Sequence, residues 1–540
     1  MAQAVKVRTG GHVVAESLEA LGAEVCVGVP GIHALAIWEG LRATDVRAVG
    51  FRTELNAGFA ADGYARVCGR PAPLLLSTGP GALISLAALM EAASAHVPVV
   101  ALASQVPSDL VGTGRGYLHE LPDQLASFAP LVKWAARAES AETIPEVLAE
   151  AWRRALTPPS GPVFVEVPVD FLTATTDLPP VHDLDSSPST LPLPSEQDLA
   201  EAIRGLREAK SPVVWAGGGV LRSGAWEELA KLARRLDAPV ATTYMGKGAF
   251  PEDDPLSAGC ACDEGAFREL VEGADVLLCA GTELGAETTQ QYGLAFPGRL
   301  VQIDAAPERI GATYRALGLV GDAKAILAAL LERVEPRGGD GVERAAAVRR
   351  RIETGLDEQE HQLERGLLRT IRDALPRDAV HAWDMTILAY WAAAHFPALA
   401  PRRFLYPLGS GTLGYAWPAA LGASLALPGT PVLAVAGDGG ALYGLQELAV
   451  ARQHGLDAVL LVVDDGGYGI LREYQRDSFG ETTSVDFAGP DFVGLARAYG
   501  VPAESTTPEG LGDALAGALA LGGPAVVHLP ALLEMWTPTE

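Results

Sequence analysis

The chain has 540 residues, 49% of them hydrophobic and 20% charged, enough apolar content for packed cores and too much for wholesale disorder. Its 67 acidic and 41 basic residues give a formal net charge of -26, which excludes a general nucleic-acid or anionic-membrane binder, because those surfaces need clustered Lys and Arg. The 60 Gly and 38 Pro follow no fixed period, which excludes collagen, and the five cysteines are too few for a disulfide framework, so reduced thiols in a cytoplasmic protein are expected.

At roughly 100–200 residues per domain, the length predicts about three domains. The first stretch, MAQAVKVRTGGHVVAESLEALG (1–22), reads as an amphipathic helix containing Glu16 and Glu19, without the apolar core of a secretion signal. Short aliphatic runs bounded by Gly, Pro or Asp then alternate with amphipathic stretches. Strands are expected at 97–104, 162–168, 212–218, 274–281, 299–305, 431–438, 458–465 and 524–530. Continuously apolar strands joined by helices mean parallel sheets covered on both faces, an α/β fold. Residues 176–196, rich in Pro and Ser, read as a linker, and 335–365 as a second connector that becomes a charge-dense helix. These cuts predict domains at 1–180, 190–340 and 345–540. Cys260 and Cys262 form the one close cysteine pair and have no second pair to complete a zinc site. The uncharged stretch 404–437 contains Pro407, Pro418, Pro428 and Pro431, so it reads as loop, buried helix and buried strand rather than a membrane helix.

The strongest local signal is Gly437-Asp438-Gly439-Gly440, which follows the apolar run PVLAVA and precedes ALYGLQELAVARQHG, read as one helix. A strand, a glycine turn and a helix bring backbone N–H groups and the positive helix end to an anion, and glycines let a phosphate approach closely. Asp438 stands where a cation bridging that phosphate needs an oxygen ligand. The next strand ends in Asp464-Asp465-Gly466-Gly467-Tyr468-Gly469, with Asp465 27 residues after Asp438. One helix and one strand span that separation, so the two strand ends are expected side by side at the carboxyl edge of one parallel sheet, where open α/β sheets bind ligands. Two carboxylates there suit Mg²⁺.

With GVPG (28–31), RTELNAGFAADGYARVCGRP (52–71), STGPGA (77–82), MGKGAFPEDDPLSAG (245–259), IDAAPERIG (303–311) and GTLGYAWPAALGA (411–423), the chain resembles thiamine diphosphate enzymes of the acetolactate synthase and 2-oxo acid decarboxylase type over nearly its whole length. The resemblance implies three domains, each a largely parallel sheet flanked by helices: a pyrimidine-binding domain (1–180), a central nucleotide-like domain (190–340) and a diphosphate-binding domain (345–540). It implies Mg²⁺ on Asp438, Asp465 and the backbone carbonyl of Gly467, and a diphosphate held by the Gly437–Gly440 turn and by backbone groups near Tyr468 and Gly469. Glu54 resembles the glutamate that hydrogen-bonds N1′ of the aminopyrimidine and shares a proton with it. Leu413 stands where the family places the aliphatic residue that bends the cofactor, and the carbonyl of Gly411 is expected to accept from N4′. The family shares its active site between two subunits, which implies a homodimer or homotetramer.

The sequence departs from the family in several places. Asp464-Asp465 replaces the usual Asn pair, Thr53 and Leu55 flank Glu54 where His and Gln are frequent, and Ile84 stands where Asn is frequent. GTGRGYLHELPDQ (112–124), GVPGIHALAIWEGL (28–41) and DDGGYGILREYQ (464–475) look most like a branch that decarboxylates 5-guanidino-2-oxopentanoate, although that branch has Glu at the position of Ile470. A guanidinium tail calls for carboxylates, for which Glu120 and Asp123 are candidates. Among the histidines near pocket-forming loops, His33, His96 and His119, the expected proton donor to the substrate is His119. Gln105, at a strand end, is expected to line the pocket. The segment GTELGAETT (281–289) lacks the features of flavin-binding relatives, so the central domain reads as structural. The expected reaction is decarboxylation of a 2-oxo acid. The alternatives are an acetolactate synthase-like carboligase, disfavoured by Tyr474 near the place of that group's Trp, and a non-catalytic cofactor-binding relative.

Overall fold

The computed structural model describes residues 7–540, so Met1–Lys6 of the expected N-terminal helix lie outside the described residues; from Gly10 to Ala20 the chain is helical. Every expected strand forms, within three residues at either end. The chain builds three six-stranded sheets whose pairings are all parallel. No helix among the described residues is long and apolar enough to cross a membrane.

The chain divides into two compact units. The first comprises residues 1–189, 409–429 and 443–458. Its sheet is formed by β1 (Val25–Gly28), β2 (Arg47–Gly50), β3 (Pro73–Leu76), β4 (Val100–Gln105), β5 (Trp134–Arg137) and β6 (Val163–Pro168), in the order β2-β1-β3-β4-β6-β5. The strands β1, β3, β4 and β6 are buried at every residue, as expected where helices cover both faces. The helix Glu54–Cys68 starts where the Thr53 hydroxyl accepts from the Asn56 N–H and stops at Gly69, which is left-handed at φ 75. All of it is buried except Leu55, Arg66 and Cys68, because a second buried helix, Ala416–Ala426, packs on it. Gly63 lies against the Ala419 backbone and Gly422 against the Ala60 backbone, too close for a methyl group at either position. Small residues at both crossing points let the two helix backbones touch.

The second unit comprises residues 190–408, 430–442 and 459–540. One of its sheets is formed by β7 (Pro212–Ala216), β8 (Val240–Thr242), β9 (Ser257–Gly259), β10 (Val276–Ala280), β11 (Arg299–Asp304) and β12 (Leu317–Val320), in the order β12-β11-β10-β7-β8-β9. Counted from its first strand this is 6-5-4-1-2-3, the doubly wound order of dinucleotide-binding folds. The other sheet is formed by β13 (Val380–Trp383), β14 (Phe404–Leu405), β15 (Val432–Gly437), β16 (Val459–Asp464), β17 (Ala503–Ser505) and β18 (Ala525–Pro530), in the order β14-β13-β15-β16-β18-β17. That is strand for strand the order of the first unit's sheet, a repeat of topology that the sequence does not display.

Candidate functional site

The residues expected to hold the metal and the diphosphate lie in the second unit. β15 and β16 are neighbours, with Gly437 in register with Val463, so the two acidic strand ends are adjacent as expected. The single helix expected after Asp438 is instead three pieces: a turn at Asp438–Ala441, a 3-10 turn at Leu445–Glu447 and the helix Leu448–His454. Gly444, at φ -125, breaks the run. The break leaves a short, buried turn at the strand end, whose first N–H groups precede any partner within the turn, the arrangement an anion uses. A methyl group on Gly439 would fall 2.6 Å from the Tyr468 ring, and one on Gly440 would fall 2.9 Å from an Asp384 carboxylate oxygen.

Asp438 is 1% exposed, and neither of its carboxylate oxygens has a hydrogen-bond partner. Burial, reinforced by the charges of Asp465 and Asp464, pushes its carboxyl up to about 7. Asp465 Oδ1 is likewise buried and unpartnered. Its Oδ2 lies 3.8 Å from Arg472 Nη1, and Arg472 also bonds the Asp465 carbonyl and, at 2.7 Å, Asp486. Asp464, by contrast, is engaged: it accepts from the Gly466 N–H at 3.0 Å and meets His528 Nε2 at 2.9 Å. Of the adjacent acids, only Asp465 retains an unpaired buried oxygen. Orphaned carboxylate oxygens on two strand ends fit a dication. No group of three or more His, Cys, Asp or Glu among the described residues is arranged to hold a metal by itself, so backbone and ligand oxygens would complete the shell. The Tyr468 N–H donates to the Val485 carbonyl at 2.8 Å, in the short antiparallel bridge of Gly467 with Asp486, so it does not face an anion. Gly469, the first residue of the helix Gly469–Phe479, keeps a helix-start position. Sequence patterns did not single out Asp384 or Arg472, which the fold brings beside Gly440 and Asp465; for Arg472 the available signal was an arginine seven residues beyond an acid that replaces Asn.

The residues expected at the pyrimidine, Glu54, Gly411 and Leu413, lie in the first unit. Glu54 opens its helix, is only 9% exposed, and has its carboxyl raised by burial. A methyl group on Gly81 would fall 2.9 Å from Glu54 Oε1, so this glycine makes room for the carboxylate. Beneath the same turn the buried Glu447 accepts from the Arg52 N–H and from Asn56 Nδ2, both at 3.1 Å. Gly411 (φ 66) is exposed and Leu413 is half-buried, so Leu413 is not core filling.

The segments after β1 and β4 carry His33 and His119. His33 and His119 meet edge to face with centroids 5.3 Å apart, His33 lies 5.8 Å from the Tyr117 ring, and neither Nδ1 has a partner. Burial and the charge of His119 hold His33 below the usual histidine range. His96 is elsewhere, in the turn after the helix Leu86–Ser94. Gln105 does not face open space: it is 2% exposed, donates to Glu166 at 3.0 Å and accepts from the Val106 N–H. Glu120 and Asp123 are used by their own loop. Glu120 accepts from the N–H groups of Gly114, Gly116 and Tyr117, and Asp123 caps the helix Gln124–Phe128 through the Ala126 N–H.

Three parallel sheets, a glycine turn with orphaned acids and a buried glutamate at a helix start define an enzyme that uses thiamine diphosphate. The N-terminal, central and C-terminal domain models of thiamine pyrophosphate enzymes match residues 8–127, 199–330 and 384–529, and the chain belongs to that family. It is 38% identical to a probable 2-ketoarginine decarboxylase of Pseudomonas aeruginosa, over 92% of this chain and 89% of that protein. It is 32% identical to a probable acetolactate synthase large subunit of Methanocaldococcus jannaschii, over 92% and 87%, and 32% identical to the acetolactate synthase large subunit of Corynebacterium glutamicum, over 92% and 82%.

Proposed function

We propose that the chain is a thiamine diphosphate- and Mg²⁺-dependent decarboxylase of a 2-oxo acid, and that the acid is 5-guanidino-2-oxopentanoate. The observation that carries the metal and cofactor reading is Asp438, buried at a strand end with both carboxylate oxygens unpaired. The substrate reading is supported by the likeness to the 2-ketoarginine decarboxylase. Asp438, Asp465 and the Gly467 carbonyl would hold the metal, and the Gly437–Gly440 turn and Gly469 the diphosphate. Bound there, thiamine diphosphate supplies a carbanion that adds to the 2-oxo carbonyl and a sink for the electron pair left by departing CO₂. Glu54, whose carboxyl burial raises above the usual carboxylate range, holds a proton at the ring nitrogen of the pyrimidine. The Gly411 carbonyl would accept from the exocyclic amine, and the Leu413 side chain would pack against the bound cofactor. His119, with His33 beside it held neutral, delivers a proton to the product, an aldehyde one carbon shorter than the acid.

Domains at 1–180, 190–340 and 345–540 belong to the same reading, and the three family segments fall inside these ranges. The central domain carries no FAD in this proposal. The Gly217 and Gly219 N–H groups, at the switch point of its sheet, donate to the Ala280 and Gly281 carbonyls, so the turn a dinucleotide would occupy is closed. The chain acts as a homodimer or homotetramer with active sites at the subunit interface. Five free thiols support a cytoplasmic location. A panel of 2-oxo acids, with CO₂ and organic products measured together, tests the proposal. Highest kcat/KM on the guanidino acid, with CO₂ and aldehyde in equal amounts, is the expected result. Preference for pyruvate with acetolactate as product would replace it with the carboligase reading.

A further inference from the structure

Within the first unit, the Gly411–Leu413 segment hangs between two fixed points, and both lead to buried charges on other helices. On one side, Glu91 of the helix Leu86–Ser94 is fully buried, and its Oε2 accepts from the Ser410 N–H at 2.6 Å and from the Ser410 hydroxyl at 2.9 Å. Its Oε1 accepts from Arg66 Nη2 at 2.7 Å. On the other side, the Tyr415 hydroxyl donates to Asp62 Oδ1 at 2.7 Å, the oxygen that Arg66 Nε also binds at 2.6 Å, and the Arg66 guanidinium lies 5.3 Å over the Tyr415 ring. Arg66 and Asp62 belong to the helix that begins with Glu54. Gly411 and Gly414 have φ of 66 and 81, so the segment between the two points turns on glycines. Gly409 closes the arrangement: a methyl group there would fall 2.9 and 3.0 Å from the two Glu91 oxygens.

We propose that Glu91 is a positioning residue for the pyrimidine end of the cofactor: through Ser410 it latches the loop carrying the Gly411 carbonyl and Leu413 to the Glu54 helix. This rests on the reading of Gly411 and Leu413 as cofactor contacts. A carboxylate suits the position because every group facing it is a donor. Glutamine would present an NH₂ group to either Arg66 or Ser410 and open one side of the latch.

The test uses the full-length chain with Glu91→Gln, Gly409→Ala and Ser410→Ala, and Leu413→Ala alongside. Two measurements are made. One is hydrogen–deuterium exchange of the 409–415 amides in the cofactor-free protein. The other is the rate of C2–H exchange per bound thiamine diphosphate, with the cofactor Kd. Glu91→Gln and Gly409→Ala are expected to speed amide exchange at Ser410 at least about tenfold. They are expected to slow C2–H exchange by about 10- to 100-fold, since a misplacement of about 1 Å costs on that order, while the cofactor Kd, set by the diphosphate end, stays within about threefold. Ser410→Ala keeps the backbone bond and is expected to have a smaller effect in the same direction. C2–H exchange per bound cofactor within about twofold of wild type in Glu91→Gln and Gly409→Ala would overturn the latch, and lowered thermal stability with that result would make Glu91 structural only. If Glu91→Gln does not fold, Gly409→Ala and Ser410→Ala decide, since both leave every charge in place. If Leu413→Ala exchanges C2–H as wild type does, the reading of the loop as a cofactor contact fails and the latch with it. If Leu413→Ala is slow and the latch variants are not, the latch alone fails.

Discussion

Glu54 is one carboxyl in a tight space, and its effect should be separable from binding. Replacing it with Gln keeps its size against Gly81 but removes the exchangeable proton. We expect Glu54→Gln to hold cofactor within about tenfold of wild type and to lose about 10²–10⁴-fold in turnover, the usual worth of general acid–base catalysis. Near-normal turnover at normal cofactor occupancy would remove Glu54 from the mechanism. Asp465 raises the opposite question, since it adds charge where the family has a neutral amide. In the proposed site it and Asp438 would face a dication, and without metal the pair would repel a diphosphate. Asp465→Asn is expected to weaken Mg²⁺ binding and to raise the residual affinity for thiamine diphosphate in EDTA. Arg472, packed against the same turn, moderates that charge. Equal metal dependence in wild type and variant would take Asp465 out of the ligand set. At this scale the sequence was legible where a residue stood in a dense motif, as Asp438 and Glu54 do. It was not where the deciding contact came from a distant segment. Nothing near Gln105 announces Glu166, and the loop bonds of Glu120 depend on the fold of 114–117.

Element boundaries followed local composition closely, because fully apolar runs flanked by Gly, Pro and Asp have few alternatives to a buried strand. The exception was the stretch after Asp438, whose helical pattern is interrupted at Gly444. The piece that resumes, Leu445–Glu447, carries the buried Glu447 to the start of the Glu54 helix. Burial pushes that carboxyl up to about 7, against the hydrogen bonds from Asn56 and Arg52 that lower it. Folded Glu447 therefore keeps its proton across a range in which the unfolded chain has lost it. Its contribution is fully present below the ordinary value of 4.5, falls as pH rises to about 7, and is constant above; the span corresponds to about 3 kcal/mol. Glu447→Gln should remove this dependence, so the Tm of the variant relative to wild type rises between pH 5 and pH 8. A difference that stays constant across that range would show that Glu447 does not titrate there.

Over the whole molecule, the alternation of helix and apolar run pointed to α/β architecture and three sheets, because parallel sheets leave that imprint on every strand. The shared strand order of the first and third sheets left no trace in the sequence, since topology depends on which strands pair and not on what they contain. Nor did the cuts at Pro- and Ser-rich segments anticipate that residues 409–429 and 443–458 belong to the same compact unit as 1–189. Those pieces join through backbone-close helices and through Asp62, Glu91 and Glu447, whose partners lie hundreds of positions away.

That discontinuity has a consequence for the birth of the protein. A ribosome delivers about 5–20 residues per second, so tens of seconds on that order separate residue 189 from residue 458. Throughout that interval the nascent N-terminal part displays an apolar helix face and buried-type acids with nothing to cover them. The middle of the chain, which supplies two-thirds of its own unit without help from the first, is made and folds in the meantime. The first unit can thus be completed only after residues 190–408 of the second have been made, and until Ala416–Ala426 arrives the Ala- and Gly-rich face of Glu54–Cys68 lacks its cover.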